Sequence, residues 1–71
     1  MTLNERIGLE MRVERVRAKM TLDDVANKMG VKSKNTISRM ELGKTEITVV
    51  QLREFCDAVG CNYIDILERV S

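Results

Sequence analysis

The middle of the chain carries the residues best suited to binding an anion. Between positions 28 and 45, five basic residues stand against one acidic residue, which gives this segment a net charge of +4 in a chain whose total is +1. A basic segment on an otherwise neutral small chain is the electrostatic footprint of a phosphate-binding surface, although such charges also serve as plain solvated surface. The basic residues are Lys28, Lys32, Lys34, Arg39 and Lys44, opposed by Glu41.

Composition argues against enzymatic, metal and cofactor chemistry. The chain has no His, which removes the commonest general base and the commonest metal ligand. Cys56 and Cys61 lack the second pair of ligands that a structural zinc site needs, so we expect them to be small buried hydrophobes. The only aromatics, Phe55 and Tyr63, are too few for a base-stacking platform. A chain of 71 residues supports one core and no separate catalytic lobe, so we expect a single domain over residues 1–71.

Polar cap residues and glycines divide the chain into five predicted helices. Each helix begins after a side chain that can accept a hydrogen bond from a free backbone N–H. Glycine follows the second, third and fourth helices, where a left-handed C-terminal cap is expected. There is no strand-like alternation, so the prediction is a compact all-α bundle. The N-cap residues are Thr2, Thr21, Ser33, Thr48 and Asn62, and the closing glycines are Gly30, Gly43 and Gly60.

Apolar residues recur at helical spacing within these segments. The first helix is predicted over about residues 3–18, with Gly8 weakening it by about 1 kcal/mol relative to Ala. The fifth has an apolar residue, Ile64, off its inward face, so this side chain either packs on a neighbouring helix or is free to contact a partner. Leu9 and Val13 pose the same question on the first helix. The residues that set the spacing are Leu3, Ile7, Met11 and Ala18 in the first helix, Val49, Leu52, Phe55, Cys56 and Val59 in the fourth, and Tyr63, Ile66, Leu67 and Val70 in the fifth.

The second and third predicted helices are joined by only a few residues after Gly30. A short connection of this kind is typical of a helix-turn-helix pair. That arrangement projects the second helix of the pair so that its N-terminal residues reach base edges in the major groove of DNA. The basic segment of the chain coincides with this second helix.

From about Ile7 to Leu67, the sequence resembles the Cro and C1 repressor type of helix-turn-helix domain, which is also called the xenobiotic-response-element family. Arg15 carries part of the resemblance, followed by the stretches MTLDDVA (20–26), KMGV (28–31), TISRMELGK (36–44) and FCDAVGCN (55–62). The resemblance implies a five-helix bundle of the lambda-repressor-like type that binds DNA. It also pairs Arg15 with Glu41, and we expect this pair to tie the first helix to the end of the third in a structural role.

Three positions depart from the family pattern. Six residues, 31–36, separate Gly30 from Ile37, where the common pattern has five. Leu22 stands where the family typically has a Gln that contacts a phosphate. Leu42 and Ile47 replace a polar residue and a proline, which leaves apolar groups where a solvated loop was expected.

The third helix would supply both base and phosphate contacts. If it enters the major groove, the side chains best placed to read bases are Lys34 and Asn35 in its first turn, and Ser38 and Arg39 one turn later. Arg and Lys donate to guanine O6 and N7, and Asn forms paired hydrogen bonds with adenine. Phosphate contacts are expected from Lys32, Ser33, Thr36, Lys44 and Thr45.

These features predict a sequence-specific regulator of transcription that binds a palindromic operator in double-stranded DNA as a homodimer, with the fifth helix offering a dimer contact. In its small size the chain resembles phage Cro-like repressors and the controller proteins of restriction-modification systems. A controller would also activate, through an acidic contact to RNA polymerase that the C-terminal third, with a net charge of −3, could provide. No membrane span or signal peptide is apparent, so we expect a bacterial or phage-encoded protein in the cytoplasm, at the nucleoid.

A protein-interaction module on the same fold, such as an antitoxin, is the alternative. Its contact patch would consist of exposed Leu22, Leu42 and Ile47, and the basic residues of the third helix would be dispensable.

Overall fold

The computed structural model describes residues 1–71, which form five α-helices and no strands. The prediction of an all-α five-helix bundle is confirmed. None of the helices combines the length and apolar character needed to cross a membrane. The helices are α1 (Leu3–Arg17), α2 (Leu22–Met29), α3 (Lys34–Glu41), α4 (Val49–Val59) and α5 (Tyr63–Val70).

All five predicted N-caps are confirmed. Thr2, Thr21 and Thr48 each accept a hydrogen bond from the backbone N–H three residues later, and the side chain of that later residue accepts one from the N–H of the threonine. These reciprocal bonds are capping boxes, which satisfy two otherwise free donors at each helix start. Ser33 and Asn62 accept from the N–H two residues later. The boundaries of the helices are therefore fixed locally by the sequence.

One apolar core lies between the helices. Phe55, at the centre of α4, is fully buried. Cys56 beside it is also buried, and Cys61 is half-buried against the core. Burial raises the pKa of both thiols, which keeps them neutral, as expected of small hydrophobes. The eleven core residues are Ile7, Met11, Val25, Ala26, Ile37, Met40, Leu52, Phe55, Cys56, Ile66 and Val70.

The burial predicted from the apolar spacing was wrong at three positions. Leu3 and Ala18, expected to share the apolar face of α1, are exposed, as is Val49 at the start of α4. Each of them lies at the end of a helix or just beyond it, where no neighbouring element covers it. On α1 the buried face is instead continued by Glu14, a charged residue that is 7% exposed.

Gly8 has the opposite role to the one its helix propensity suggests. It is buried where α1 approaches the C-terminal end of α3. A Cβ at this position would lie 2.7 Å from the carbonyl oxygen of Glu41 and closer still to that of Met40. Because these are backbone atoms that cannot rotate away, Gly8 permits a contact between α1 and α3 that any side chain would obstruct.

Candidate nucleic-acid interface

The turn between α2 and α3 sets the direction of α3. Gly30 ends α2 in the left-handed conformation, with φ 73°, and the N–H of Val31 donates to the carbonyl of Ala26 at 3.0 Å. Val31 is half-buried and packs against the core, which anchors the turn. Ser33 then caps α3 by accepting a hydrogen bond from the N–H of Asn35 at 3.1 Å. The predicted helix-turn-helix pair is confirmed, with Lys34 as the first residue of its second helix.

α3 presents one face to the core and the other to solvent. Ile37 and Met40 are almost completely buried. Asn35 and Arg39, four residues apart and thus on one face, are exposed. Lys34 is also exposed, and Ser38 is half-buried. The four side chains predicted to read bases therefore lie along the outer side of a single two-turn helix. Together they offer amide, hydroxyl, ammonium and guanidinium groups.

The residues predicted to bind phosphates flank this outer side. Thr45 is half-buried, and its carbonyl accepts a hydrogen bond from Asn4 Nδ2 at 2.6 Å. The amide oxygen of Asn4 accepts in turn from the N–H of Ile47 at 2.9 Å, so the segment after α3 is held against the start of α1. The hydroxyl of Ser33 already accepts the capping bond of α3. The exposed members of the set are Lys32, Ser33, Thr36 and Lys44.

None of the basic side chains on or beside α3 forms an ion pair. The four ion pairs of the structure involve arginines of α1 and α5 only. Lys32, Lys34, Arg39 and Lys44 consequently keep their full hydrogen-bonding capacity for an external anion. Glu41, the one acidic residue of this segment, is turned inward and does not neutralise them.

The predicted pairing of Arg15 with Glu41 is confirmed. Arg15 Nε lies 2.7 Å from one carboxylate oxygen of Glu41, and Nη2 lies 3.1 Å from the other. Arg15 Nη1 also donates to the carbonyl of Met20 at 3.0 Å. The two side chains are 13% and 5% exposed. This bidentate pair joins α1, the start of α2 and the end of α3, which fixes the angle at which α3 projects.

Two further cations lie next to the outer side of α3. Lys19 and Lys34 line the same open hollow at the start of α2. Arg12 shares a second hollow with Ser38 and Leu42. Sequence reasoning missed Arg12, in the first helix, and Lys19, just after it, because both lie outside the basic stretch. The position of Lys19, two residues before the cap of α2, was the one local signal that could have found it.

The protein-interaction alternative predicted an exposed apolar patch of three residues, and this prediction is wrong for two of them. Leu22 and Ile47 are half-buried and pack against the core. Only Leu42 is exposed, at 53%. Leu22 is the first residue of α2, and Ile47 lies in the loop before α4. Both side chains pack against the core, and their partial burial contributes to stability.

A family model described as a helix-turn-helix domain matches residues 6–63. The chain belongs to the helix-turn-helix domain family. Two crystal structures of the clp gene regulator ClgR from Corynebacterium glutamicum are similar to this helix-turn-helix domain, each with 28% sequence identity over 99% of the chain. One gives a TM-score of 0.91 and is covered over 90% of its length, and the other gives 0.90 and is covered over 73%. No curated protein is significantly similar in sequence.

Membership accounts for the arrangement of this helix-turn-helix domain. α2 and α3 are the helix pair after which the family is named, and the remaining helices support them. The family and the fold are those of DNA-binding regulators of transcription. DNA is thus the partner that membership of this family indicates.

Proposed function

We propose that this helix-turn-helix domain is a sequence-specific regulator, a repressor, that binds a palindromic operator as a homodimer. The observation that carries the proposal is the outer side of α3, where exposed Asn35 and Arg39 lie on one face and no acidic side chain pairs with Arg39. A two-turn helix with donors of this kind fits the major groove. Residues 1–71 would act as one non-enzymatic domain of the Cro and C1 type.

The base contacts follow from the side-chain chemistry. Arg39 is the candidate for a bidentate contact with guanine O6 and N7, and Asn35 for paired hydrogen bonds with adenine N6 and N7. Lys34 and Ser38 lie one turn apart beside them and can donate to neighbouring base edges. Each good bidentate contact contributes about 1–3 kcal/mol of discrimination against a wrong base. Together these residues would specify a half-site of a few base pairs.

Phosphate contacts would supply most of the affinity. Lysines and backbone N–H groups around both ends of α3 can neutralise phosphates and release counterions. The side chains proposed for this role are Lys32, Ser33, Thr36, Lys44 and Thr45, and we add Lys19 because it lines the same hollow as Lys34. Binding should therefore weaken steeply as salt is raised, with a log-log slope of about −0.9 per phosphate neutralised.

A dimer is proposed because one reading helix recognises too few base pairs for operator specificity. The structural likeness to ClgR, a regulator of clp genes by its description, supports a role in gene control. Repression follows most simply from occupying a promoter. The acidic C-terminal third is the surface proposed for any contact with RNA polymerase. DNA binding of this kind would locate the protein at the bacterial nucleoid, in the cytoplasm.

The test is selection of bound duplexes from a random library by the wild type and by a Lys34→Ala, Arg39→Ala variant. We expect the wild type to enrich one palindrome and the variant to lose that enrichment while remaining folded by circular dichroism. A variant with Arg53→Ala, an exposed arginine on α4, is the matched control and should enrich the same palindrome. Failure of the wild type to enrich any sequence would contradict the proposal and favour a protein-interaction module.

A further inference from the structure

α1 carries an apolar stripe on the side facing away from the core. Leu9, Val13 and Val16 are spaced by four and three residues, which places them on one face of the helix. They are 45%, 37% and 57% exposed. The stripe is bordered by arginines, with exposed Arg6 and Arg12 on its two sides. This outer face of α1 is therefore both apolar and positively charged.

The outer face of α5 has the opposite charge. Ile64 is 47% exposed, so much of this side chain is open to solvent and available to a partner. Asp65 and Glu68 lie beside it, one and four residues later in the helix, and both are exposed. Neither forms an ion pair within the chain. An apolar side chain next to two free carboxylates is thus available at this surface.

An ion-pair clamp places these two faces side by side. Arg69 Nη1, from α5, donates to Glu10 Oε1 at 3.2 Å and to Glu14 Oε2 at 2.8 Å, both on α1. These hydrogen bonds raise the pKa of Arg69. The side chains of Arg69 and Glu10 are 41% and 26% exposed, so the clamp lies at the surface between the two helices. The outer faces of α1 and α5 form one continuous surface, the α1–α5 face.

We infer that the α1–α5 face is the interface of the homodimer, with α1 of each copy packed against α5 of the other. A two-fold axis that lies in the plane of the contact and runs between α1 and α5 brings the arginine-bordered stripe of one copy onto Ile64, Asp65 and Glu68 of its partner, and does so twice. The surface is self-complementary in charge, as a two-fold interface requires. The inference rests on the proposed homodimer and names its contact surface, which differs from a contact of α5 with α5.

The size of the face sets the strength of the dimer. Two adjacent helices, about 22 and 12 Å in length at 1.5 Å per residue and each about 10 Å wide, present about 340 Å². This is about half of what each partner buries in an interface of standard size. We therefore expect weak dimerisation of the free protein, which binding to two DNA half-sites strengthens by raising the effective concentration.

A charge-swap experiment tests the interface. In the acidic variant, Arg6→Glu and Arg12→Glu reverse the border of the α1 stripe. In the basic variant, Asp65→Lys and Glu68→Lys reverse α5. Each variant alone would place like charges opposite each other, whereas a mixture would restore attraction at both contacts. In sedimentation equilibrium without DNA, from about 1 µM to 1 mM, we expect the wild type to dimerise, each variant to do so at least about tenfold more weakly, and the equimolar mixture to recover.

The controls separate this inference from folding and from DNA binding. Circular dichroism verifies that each variant is folded, and Val13→Glu, which puts a charge in the centre of the stripe without touching its border, should also weaken the dimer. Arg53→Glu on α4 makes the same kind of charge reversal at an exposed site outside the α1–α5 face and should leave association unchanged. A wild type that stays monomeric, or a mixture that does not recover, would overturn the inference. Selection of a DNA sequence by that same protein would show that the proposed function survives it.

Discussion

Arg15 and Arg17 on α1 and Arg69 on α5 lie within hydrogen-bond distance of glutamates, whereas the basic residues on and around α3 have no acidic partner. Arg15 and Arg69 join helices to each other through Glu41, Glu14 and Glu10. The cations near α3 extend into solvent from a short helix. The paired arginines hold helices together, whereas the cations near α3 remain free.

Whether a charged side chain has a partner within the fold indicates whether it contributes to stability or to binding. A cation whose donors are already paired within the fold gains little from a phosphate, because it must first give up its partner. An unpaired surface cation adds almost nothing to stability and can neutralise a phosphate at small cost. Substitutions in the first region should therefore reduce stability, and substitutions in the second should reduce DNA binding.

The largest effect is expected for Glu41→Ala. The change leaves the guanidinium of Arg15 without its partner in a nearly buried position, so the free energy of unfolding should fall by about 3–5 kcal/mol. Urea denaturation followed by circular dichroism measures this loss. Glu46→Ala, at an exposed glutamate, is the control and should change stability by no more than about 0.5 kcal/mol. A loss below about 1 kcal/mol for Glu41→Ala would show that the pair behaves like an ordinary surface pair.

Gly8→Ala probes the same junction from the other helix. Helix propensity alone would stabilise α1 by about 1 kcal/mol, but the added methyl group meets the carbonyl oxygens of Met40 and Glu41. We expect a destabilisation of about 1–3 kcal/mol, typical of overpacking. Thermal unfolding of this variant, compared with Arg6→Ala at an exposed site on the same helix, shows whether Gly8→Ala lowers or raises the stability. A stabilised Gly8→Ala would mean that α1 and α3 separate without cost.

Arg39→Ala should affect binding and leave stability unchanged. Loss of one bidentate base contact is expected to weaken operator binding by about 1–3 kcal/mol and to relax the preference at a single base pair. Fluorescence anisotropy with the operator and with single-base variants measures both quantities. Arg53→Ala serves as the matched arginine control. Uniform weakening on all duplexes would place Arg39 on a phosphate and not on a base.

The smallest effect is expected for Lys44→Ala. Removal of one phosphate contact should weaken binding equally on all sequences and reduce the magnitude of the log-log salt slope by about 0.9. Titrations at several salt concentrations give this slope. An unchanged slope would show that Lys44 is solvated surface, in which case the free cations of the comparison do not all serve DNA.

Much of the architecture could be predicted because its signals are local. An N-cap needs only a side-chain oxygen two or three residues before a free N–H, and Gly30 and Gly60 supply left-handed conformations that other residues avoid. The outer side of α3 could also be predicted, since Ile37 and Met40 fix which face is buried. Spacing failed for Leu3 and Val49, because whether a helix end is covered depends on elements far away in the sequence.

The sequence by itself determined where the helices begin and end, which of them form the helix-turn-helix pair, and that the net positive charge lies in residues 28–45, on and around α3. Only the tertiary structure decided which charges are free. Glu14 and Arg69 are 55 residues apart, and no local rule pairs them. Gly8 shows the same limit, because a glycine is needed there by the close approach of the α3 backbone and not by anything in its own helix. Pairing, burial and close approach depend on distances between separate elements, which local spacing does not specify.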